Sequence, residues 1–362
     1  GDTLRFSLVC RKEHSPEDRN RLKDAITRNL VDRGWSGEIS CIIRMEGLTA
    51  SPSHSHSHAH AEPKKDPVRG MSGPGMQPHG GAIQKTMPEG VKHIIAVASG
   101  KGGVGKSTVA TNIAVALARG GFAVGLLDAD IYGPSLPIMF GVRGQNPLMM
   151  DTGDGKGMIV PLEKFGIKLM SIGLLVDEKN AIVWRGPMAS SAIRQFVTEV
   201  HWDELDYLII DMPPGTGDIH LTLVQTVPVT GVVVVTTPQD VALADAKKAI
   251  AMFGQAQIKV PIIGLVENMS YFTPAELPKN KYYIFGKEGG RKLADELNIP
   301  FLGEIPIVQS IREGGDTGIP VALDDQGPVA DAFAAAADQL IRQTAIRNAE
   351  QAPTKRVAAA AY

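Results

Sequence analysis

The run Gly100-Lys101-Gly102-Gly103-Val104-Gly105-Lys106-Ser107 constrains this chain more than any other stretch. It fits G-x-x-x-x-G-K-[ST], follows the apolar run His93 to Ala98, and opens an amphipathic pattern over 106–119. A strand, a glycine-rich turn and a helix in immediate succession are the context in which that motif grips phosphate. Glycines let successive backbone N–H groups turn inward around phosphate oxygens, and the helix N-terminus adds partial positive charge. Lys106 is expected to reach the terminal phosphates and Ser107 to ligate magnesium. The predicted nucleotide cradle is Gly100, Gly102, Gly103, Val104, Gly105, Lys106, Ser107 and Thr108.

The sequence around this loop repeats the same alternation. Short apolar runs at 93–98, 122–128, 207–211, 231–237, 262–267 and 301–305 read as strands buried on both faces, and helical patterns fill 106–119, 188–199, 240–256, 286–297 and 328–347. This order predicts an α/β fold, a doubly wound and mainly parallel sheet with ligands at its carboxyl edge. At 362 residues the chain exceeds one compact core, so a second, smaller unit is expected. Leu4 to Cys10 and Ile39 to Met45 alternate as half-buried strands, with a helix between them that is capped at Ser15-Pro16, carries Leu22, Ala25, Ile26 and Leu30 on one stripe, and stops before Gly34. The expected organisation is a small α/β domain over 1–48, a flexible linker rich in His, Pro and Gly over 49–90, the nucleotide-binding domain over 91–348, and a disordered tail over 349–362. The small domain reads as truncated: the chain begins at Gly1, inside a strand, which implies a leading segment before it.

Charge excludes several function classes. Lys and Arg number 37 against 39 Asp and Glu, a net charge of -2, so no bulk field draws nucleic acid or acidic membrane. No apolar run reaches the roughly 20 residues of a spanning helix. The two cysteines, Cys10 and Cys41, are too few for a disulfide framework. The expected compartment is the cytoplasm.

Two further strand ends carry acids. Asp128 and Asp130 follow one apolar run, and Asp211 ends another ahead of Met212-Pro213-Pro214-Gly215-Thr216-Gly217-Asp218. Either of the first two also reads as a solvated loop acid. Hydrolysis needs one carboxylate for the attacking water and another on the magnesium side, and strand-end acids beside a phosphate loop are placed for both. Magnesium is expected here, with Ser107 as the direct ligand and Asp211 acting through a bound water. A guanine-reading Asn-Lys-x-Asp loop is absent, which favours ATP. Asn268 ends the run 262–267, where Asn is a common turn former.

The loop Gly-Lys-Gly-Gly-Val-Gly-Lys-Ser-Thr resembles the deviant phosphate loop of MinD, ParA and the nitrogenase iron protein. That resemblance implies that Lys101 crosses a dimer interface to the partner's nucleotide, that the ATP-loaded form is a homodimer, that Asp130 faces the attacking water, and that Asn268 bonds adenine. Lys101, Lys106 and Asp130 are accordingly the expected catalytic set. Four further runs, Asp-Ala-Asp-Ile-Tyr-Gly-Pro-Ser-Leu-Pro, Trp184-Arg185-Gly186-Pro187-Met188, Asp-Met-Pro-Pro-Gly-Thr-Gly-Asp and Glu-Asn-Met-Ser-Tyr-Phe, resemble the Mrp/ApbC-type iron-sulfur cluster carrier ATPases over about residues 88–345. The implied cargo is an iron-sulfur cluster and the implied partners are iron-sulfur apoproteins.

One departure cuts against the cargo. Where that family carries Cys-x-x-Cys after Tyr-Phe, this chain has Pro274 and Leu277, and without soft thiolates the usual cluster site does not form. Cys10 and Cys41 lie on the apolar parity of their strands and read as small core hydrophobes. His54, His56, His58 and His60 read as a solvated linker, with loose zinc or nickel chelation as the other possibility. The reading is a magnesium-dependent ATP hydrolase with slow turnover, acting in cluster assembly or transfer. Its rivals are a MinD/ParA-like positioning switch and an ATP-dependent scaffold without a cluster.

Overall fold

The computed structural model describes residues 3–10, 38–45, 88–151, 157–176, 186–256, 258–274, 276–277 and 280–351. The helix expected between Ser15 and Gly34, residues 49–87 of the expected linker with its histidines, Trp184 and Arg185, the tail past Gln351, and the side chains of Cys10 and Cys41 lie outside the described residues. The chain divides into two compact units, Gly1–Met71 and Ser72–Tyr362.

In the first unit, β1 (Thr3–Cys10) and β2 (Glu38–Met45) pair in parallel, with Phe6 opposite Cys41 and Leu8 opposite Ile43. Residues of the same apolar parity are thus register partners. Parallel pairing excludes a hairpin turn between the two strands.

The second unit holds an eight-stranded sheet of order β12-β11-β10-β3-β9-β4-β8-β7. Its members are β3 (Val91–Ala98), β4 (Val124–Asp128), β7 (Leu162–Lys164), β8 (Ile167–Ser171), β9 (Leu205–Asp211), β10 (Gly231–Thr236), β11 (Ile262–Phe272) and β12 (Phe301–Ile307). Every pairing is parallel except β7 with β8, so the mainly parallel, doubly wound sheet is the observed fold. Alternate residues of one strand enter different cores. Ile94, Ala96 and Ala98 of β3 pack on one face with Leu208, Ile210 and Val232, while Ile95 and Val97 pack on the other with Ile209, Val233 and Val235. Two buried faces explain why these strands read as continuous apolar runs.

Helices cover both faces: α1 (Lys106–Arg119), α2 (Leu136–Met139), α3 (Gly186–Thr198), α4 (Asp218–Thr226), α5 (Asp240–Phe253), α6 (Gly289–Leu297), α7 (Gln309–Thr317) and α8 (Pro328–Glu350). On α1, Val109, Ile113 and Leu117 are fully buried at one-turn spacing, against Phe333 and Leu340 of α8, each large side chain contributing about 1.5–3 kcal/mol.

The strand expected at 122 starts only at Val124, because the Phe122 N–H closes the end of α1 on the Leu117 carbonyl at 3.2 Å and Gly121 takes φ 89°. β11 runs past 267 to Phe272, which pairs with Ile307 after a register shift beyond Asn268. The helix expected from 286 begins at Gly289, after Gly286 turns the chain at φ 111°. Helices α4 and α7, strands β7 and β8, and the antiparallel ribbon of β5 (Leu148–Asp151) with β6 (Gly157–Val160) were not foreseen. The strands among them are only three to five residues long, too short for alternation to register.

Candidate functional site

The site stands at the carboxyl edge of the sheet, where β3, β9 and β4 lie side by side. Asp211 is in register with Val97 of β3 and with Asp128 of β4. Between β3 and α1 the chain turns through residues 99–105, with Gly103 at φ 82° and Gly105 at φ 80°, a left-handed conformation that residues with a side chain rarely adopt. Gly100 is required for another reason: a Cβ there would lie 2.1 Å from the backbone carbon and oxygen of Asp245 on α5. No side chain caps α1 at Gly105, and its first turn contains no acid, so the N–H groups and the positive end of that helix remain available to an anion.

The loop is tied down on two sides. The Gly215 N–H donates to the Ser99 carbonyl at 3.0 Å, fastening the turn that follows β9 to the loop's entrance. On the other side, Asn268 Nδ2 donates to the Val104 carbonyl at 2.8 Å. Lys101 is half-buried, and its carbonyl accepts a hydrogen bond from Ser99 Oγ at 2.9 Å.

At the base of the loop Lys106 forms a buried ion pair. Its Nζ lies 2.5 Å from Asp211 Oδ1 and 3.1 Å from Ser107 Oγ, and the Lys106 and Asp211 side chains are 6% and 3% exposed. The two oxygens expected to hold magnesium therefore converge on one cation. A hydroxyl and a carboxylate are hard oxygen donors of the kind magnesium takes, with waters and substrate phosphates completing its shell. Among the described residues no group of three or more His, Cys, Asp or Glu is placed to hold a metal ion, so the donor set fits an ion shared with phosphate rather than a closed protein cage.

The two acids after β4 have different surroundings. Asp128 is fully buried. Its Oδ2 accepts from Ser135 N–H at 3.0 Å, Leu136 N–H at 3.2 Å and Ser171 Oγ at 3.1 Å, and its Oδ1 accepts from Asp130 N–H at 3.0 Å. It shapes the loop 129–136, a role the sequence did not single out. Burial and the neighbouring Asp211 carboxylate push its pKa up to about 7. Asp130 is half-buried and lines a cavity of about 480 Å³ with Tyr132, Pro213, Pro214, Gly217 and His220. Burial raises its pKa, opposed by the Lys106 ammonium.

On the opposite side of the loop a second cavity, of about 410 Å³, is lined by Gly105, Thr108, Asn268, Met139, Ile311 and Arg312. The expected base contact Asn268 thus adjoins a chamber of nucleoside size, walled in part by the unforeseen α7. Two residues that sequence reasoning missed, Arg312 and His220, sit on short helices, α7 and α4, whose patterns were overlooked.

Pro274 and Leu277, at the positions expected for cysteines, are the ends of a turn in which the Leu277 N–H donates to the Pro274 carbonyl at 3.1 Å. Around it Phe272 bridges Tyr282, Lys281 lies 3.8 Å over the Tyr271 ring, and Tyr271 meets Tyr283 edge-on. The chain's cysteines, 10 and 41, are both in the first unit, so the second unit has no thiolate for a cluster.

Residues 90–341 match the family described as ParA, NUBPL iron-transfer P-loop NTPase. An iron-sulfur cluster carrier protein of Synechocystis is 51% identical over 263 residues, covering 71% of this chain and 74% of that protein. The nucleotide-binding protein of Archaeoglobus fulgidus, solved in complex with ADP, is 39% identical, with a TM-score of 0.57 over 66% of this chain and 91% of that one. The cell division ATPase MinD of Pyrococcus furiosus shares the fold at 23% identity, with a TM-score of 0.51 over 69% of this chain and 98% of its own.

Proposed function

The chain belongs to the ParA/NUBPL family of iron-transfer P-loop NTPases, and from that premise we propose that it is a magnesium-dependent ATP hydrolase, homodimeric when loaded, that acts in iron-sulfur cluster assembly or transfer in the cytoplasm. The observation that carries the nucleotide half is the convergence of Lys106, Ser107 and Asp211 at the base of the glycine loop. Lys106 turns from Asp211 to the terminal phosphates, the uncapped first turn of α1 takes their oxygens, and Thr108 lies at the edge of the nucleoside cavity. Asn268 faces the base from that cavity. Ser107 and Asp211 would hold magnesium, which supplies charge neutralisation on the phosphates. Asp130, raised in pKa by its half-buried setting, orients the attacking water and takes up its proton. Lys101 reaches the nucleotide of a second copy and completes the site on dimerisation.

The cluster is cargo, and the residues present do not fit its usual site: neither Pro274 nor Leu277 offers sulfur. Support for carriage is the likeness to carrier proteins. The deciding experiment is anaerobic reconstitution with iron and sulfide counts per dimer, beside a variant carrying Cys10→Ser and Cys41→Ser. A stoichiometric cluster lost in the variant would place carriage on the first unit. No cluster in either protein would refute carriage and leave an ATP-driven scaffold for protein partners. Lys106→Ala is expected to abolish tight ATP binding in calorimetry, and unchanged affinity would overturn the phosphate site.

A further inference from the structure

Helix α7 carries two adjacent glycines, Gly314 and Gly315, within nine residues. Glycine is a poor helix former, because the unfolded chain gives up more backbone freedom there than at any other residue. Each of the two therefore calls for a reason. Gly314 has one in packing: a Cβ there would lie 2.6 Å from the Ile319 carbonyl oxygen and 3.0 Å from a Val321 methyl group. Gly315 has none of that kind. Its backbone is helical, without the positive φ that favours glycine, and a Cβ there would meet nothing within 4 Å. The direction in which that Cβ would point is set by the helix. Gly315 lies one turn beyond Ile311 and three residues beyond Arg312, on the face those two share. Ile311, Arg312, Gly315 and Asp316 all line the cavity of about 410 Å³ that Gly105, Thr108 and Asn268 also line. Arg312 pairs with Asp316 at 2.7 Å along the helix and does not fold over the glycine. Bare helix backbone therefore forms part of the cavity wall.

We propose that Gly315 is a specificity-determining residue for the nucleotide, its lack of a side chain letting the flat face of the purine base lie directly against the α7 backbone. This rests on the reading of that cavity as the nucleoside chamber. A planar ring reaches van der Waals distance of a helix only where no Cβ stands between them, which is why glycine marks places where backbone and ligand approach closely. The helix loses stability at Gly315, and the base gains many weak dispersion contacts in exchange. The contact selects by shape, admitting a flat ring and leaving the choice among purines to polar groups such as Asn268.

The test compares Gly315→Ala and Gly315→Leu with wild type in the full-length chain, reading thermal unfolding without ligand and calorimetric affinity for ADP and for pyrophosphate. Pyrophosphate probes the phosphate loop without a nucleoside. Gly315→Ala is expected to melt about 2–4 °C above wild type, because alanine favours the helix and meets no neighbour there, while its affinity for ADP falls about fivefold. Gly315→Leu is expected to lose at least about tenfold in ADP affinity, the effect of forcing extra methylenes into a filled space, with pyrophosphate affinity within about twofold of wild type. Wild-type ADP affinity in Gly315→Leu would overturn the inference alone, as would parallel loss of stability and of affinity for both ligands, the signature of a structural role. ADP and pyrophosphate affinities that Lys106→Ala leaves unchanged would overturn the nucleotide reading and this inference with it.

Discussion

The Lys106–Asp211 pair gives the sharpest test of how the site is built, through Asp211→Asn. In the nucleotide-free chain this substitution leaves the Lys106 ammonium, 6% exposed, without its anionic partner. Breaking a buried pair from one side costs about 3–5 kcal/mol. For a unit of this size that corresponds to a fall of about 6–20 °C in melting temperature. The sign changes when phosphate is present. In wild type, nucleotide draws Lys106 away from a carboxylate it already holds, whereas in Asp211→Asn the same phosphates relieve an unpaired charge. If about 2 kcal/mol of the loss is recovered on binding, affinity for ADP in EDTA rises about 30-fold over wild type, and the two proteins converge in stability as ADP saturates them. Magnesium-ATP turnover is expected to move the other way, since the variant lacks the carboxylate proposed to hold the metal. Urea and thermal unfolding with and without ADP, and calorimetry in EDTA, read each quantity separately. An equal stability loss with and without ADP, or a nucleotide-free loss below about 1 kcal/mol, would refute the claim that lysine and phosphate compete for one electrostatic position.

Two other outcomes are expected. Lys101→Ala leaves the fold and ADP affinity intact but lowers ATP turnover at least tenfold, and turnover at the wild-type level would sink the two-copy site. Acid lowers stability through His220: its folded pKa of about 4 lies below the ordinary 6.5, so the unfolded chain binds the proton first and stability is lost as pH falls from about 6.5 to about 4, by about 3 kcal/mol in total. Urea titrations of wild type and His220→Leu across that window isolate this contribution, and identical slopes would contradict it.

Much of the fold was legible because the central strands are buried on both faces. Ile94 to Ala98 and Val232 to Val235 have no solvent side, and such runs announce a parallel sheet. The loop was legible because two left-handed glycines, a lysine and a helix start must coincide for phosphate to bind there. What escaped has an equally physical cause. Spacing alone leaves Asp128 and Asp130 equivalent, the resemblance singled out Asp130, and the loop-shaping role of Asp128 emerges only from its donors Ser135, Leu136 and Ser171. His220 was passed over because the short helix that carries it was not foreseen, and the burial of its ring nitrogens exists only in three dimensions. The short strands of 148–171 are fixed by their partners rather than by a pattern of their own.

Gly100 lies flush against a peptide of α5, with no room for even a methyl group between them. A loop in such contact has no slack. Any movement of the loop toward that helix meets peptide backbone rather than a yielding side chain. Lys247 and Lys248 ride on the exposed side of the same helix. A push of the loop against α5 would therefore be felt, by steric contact alone, on a surface that never touches the nucleotide.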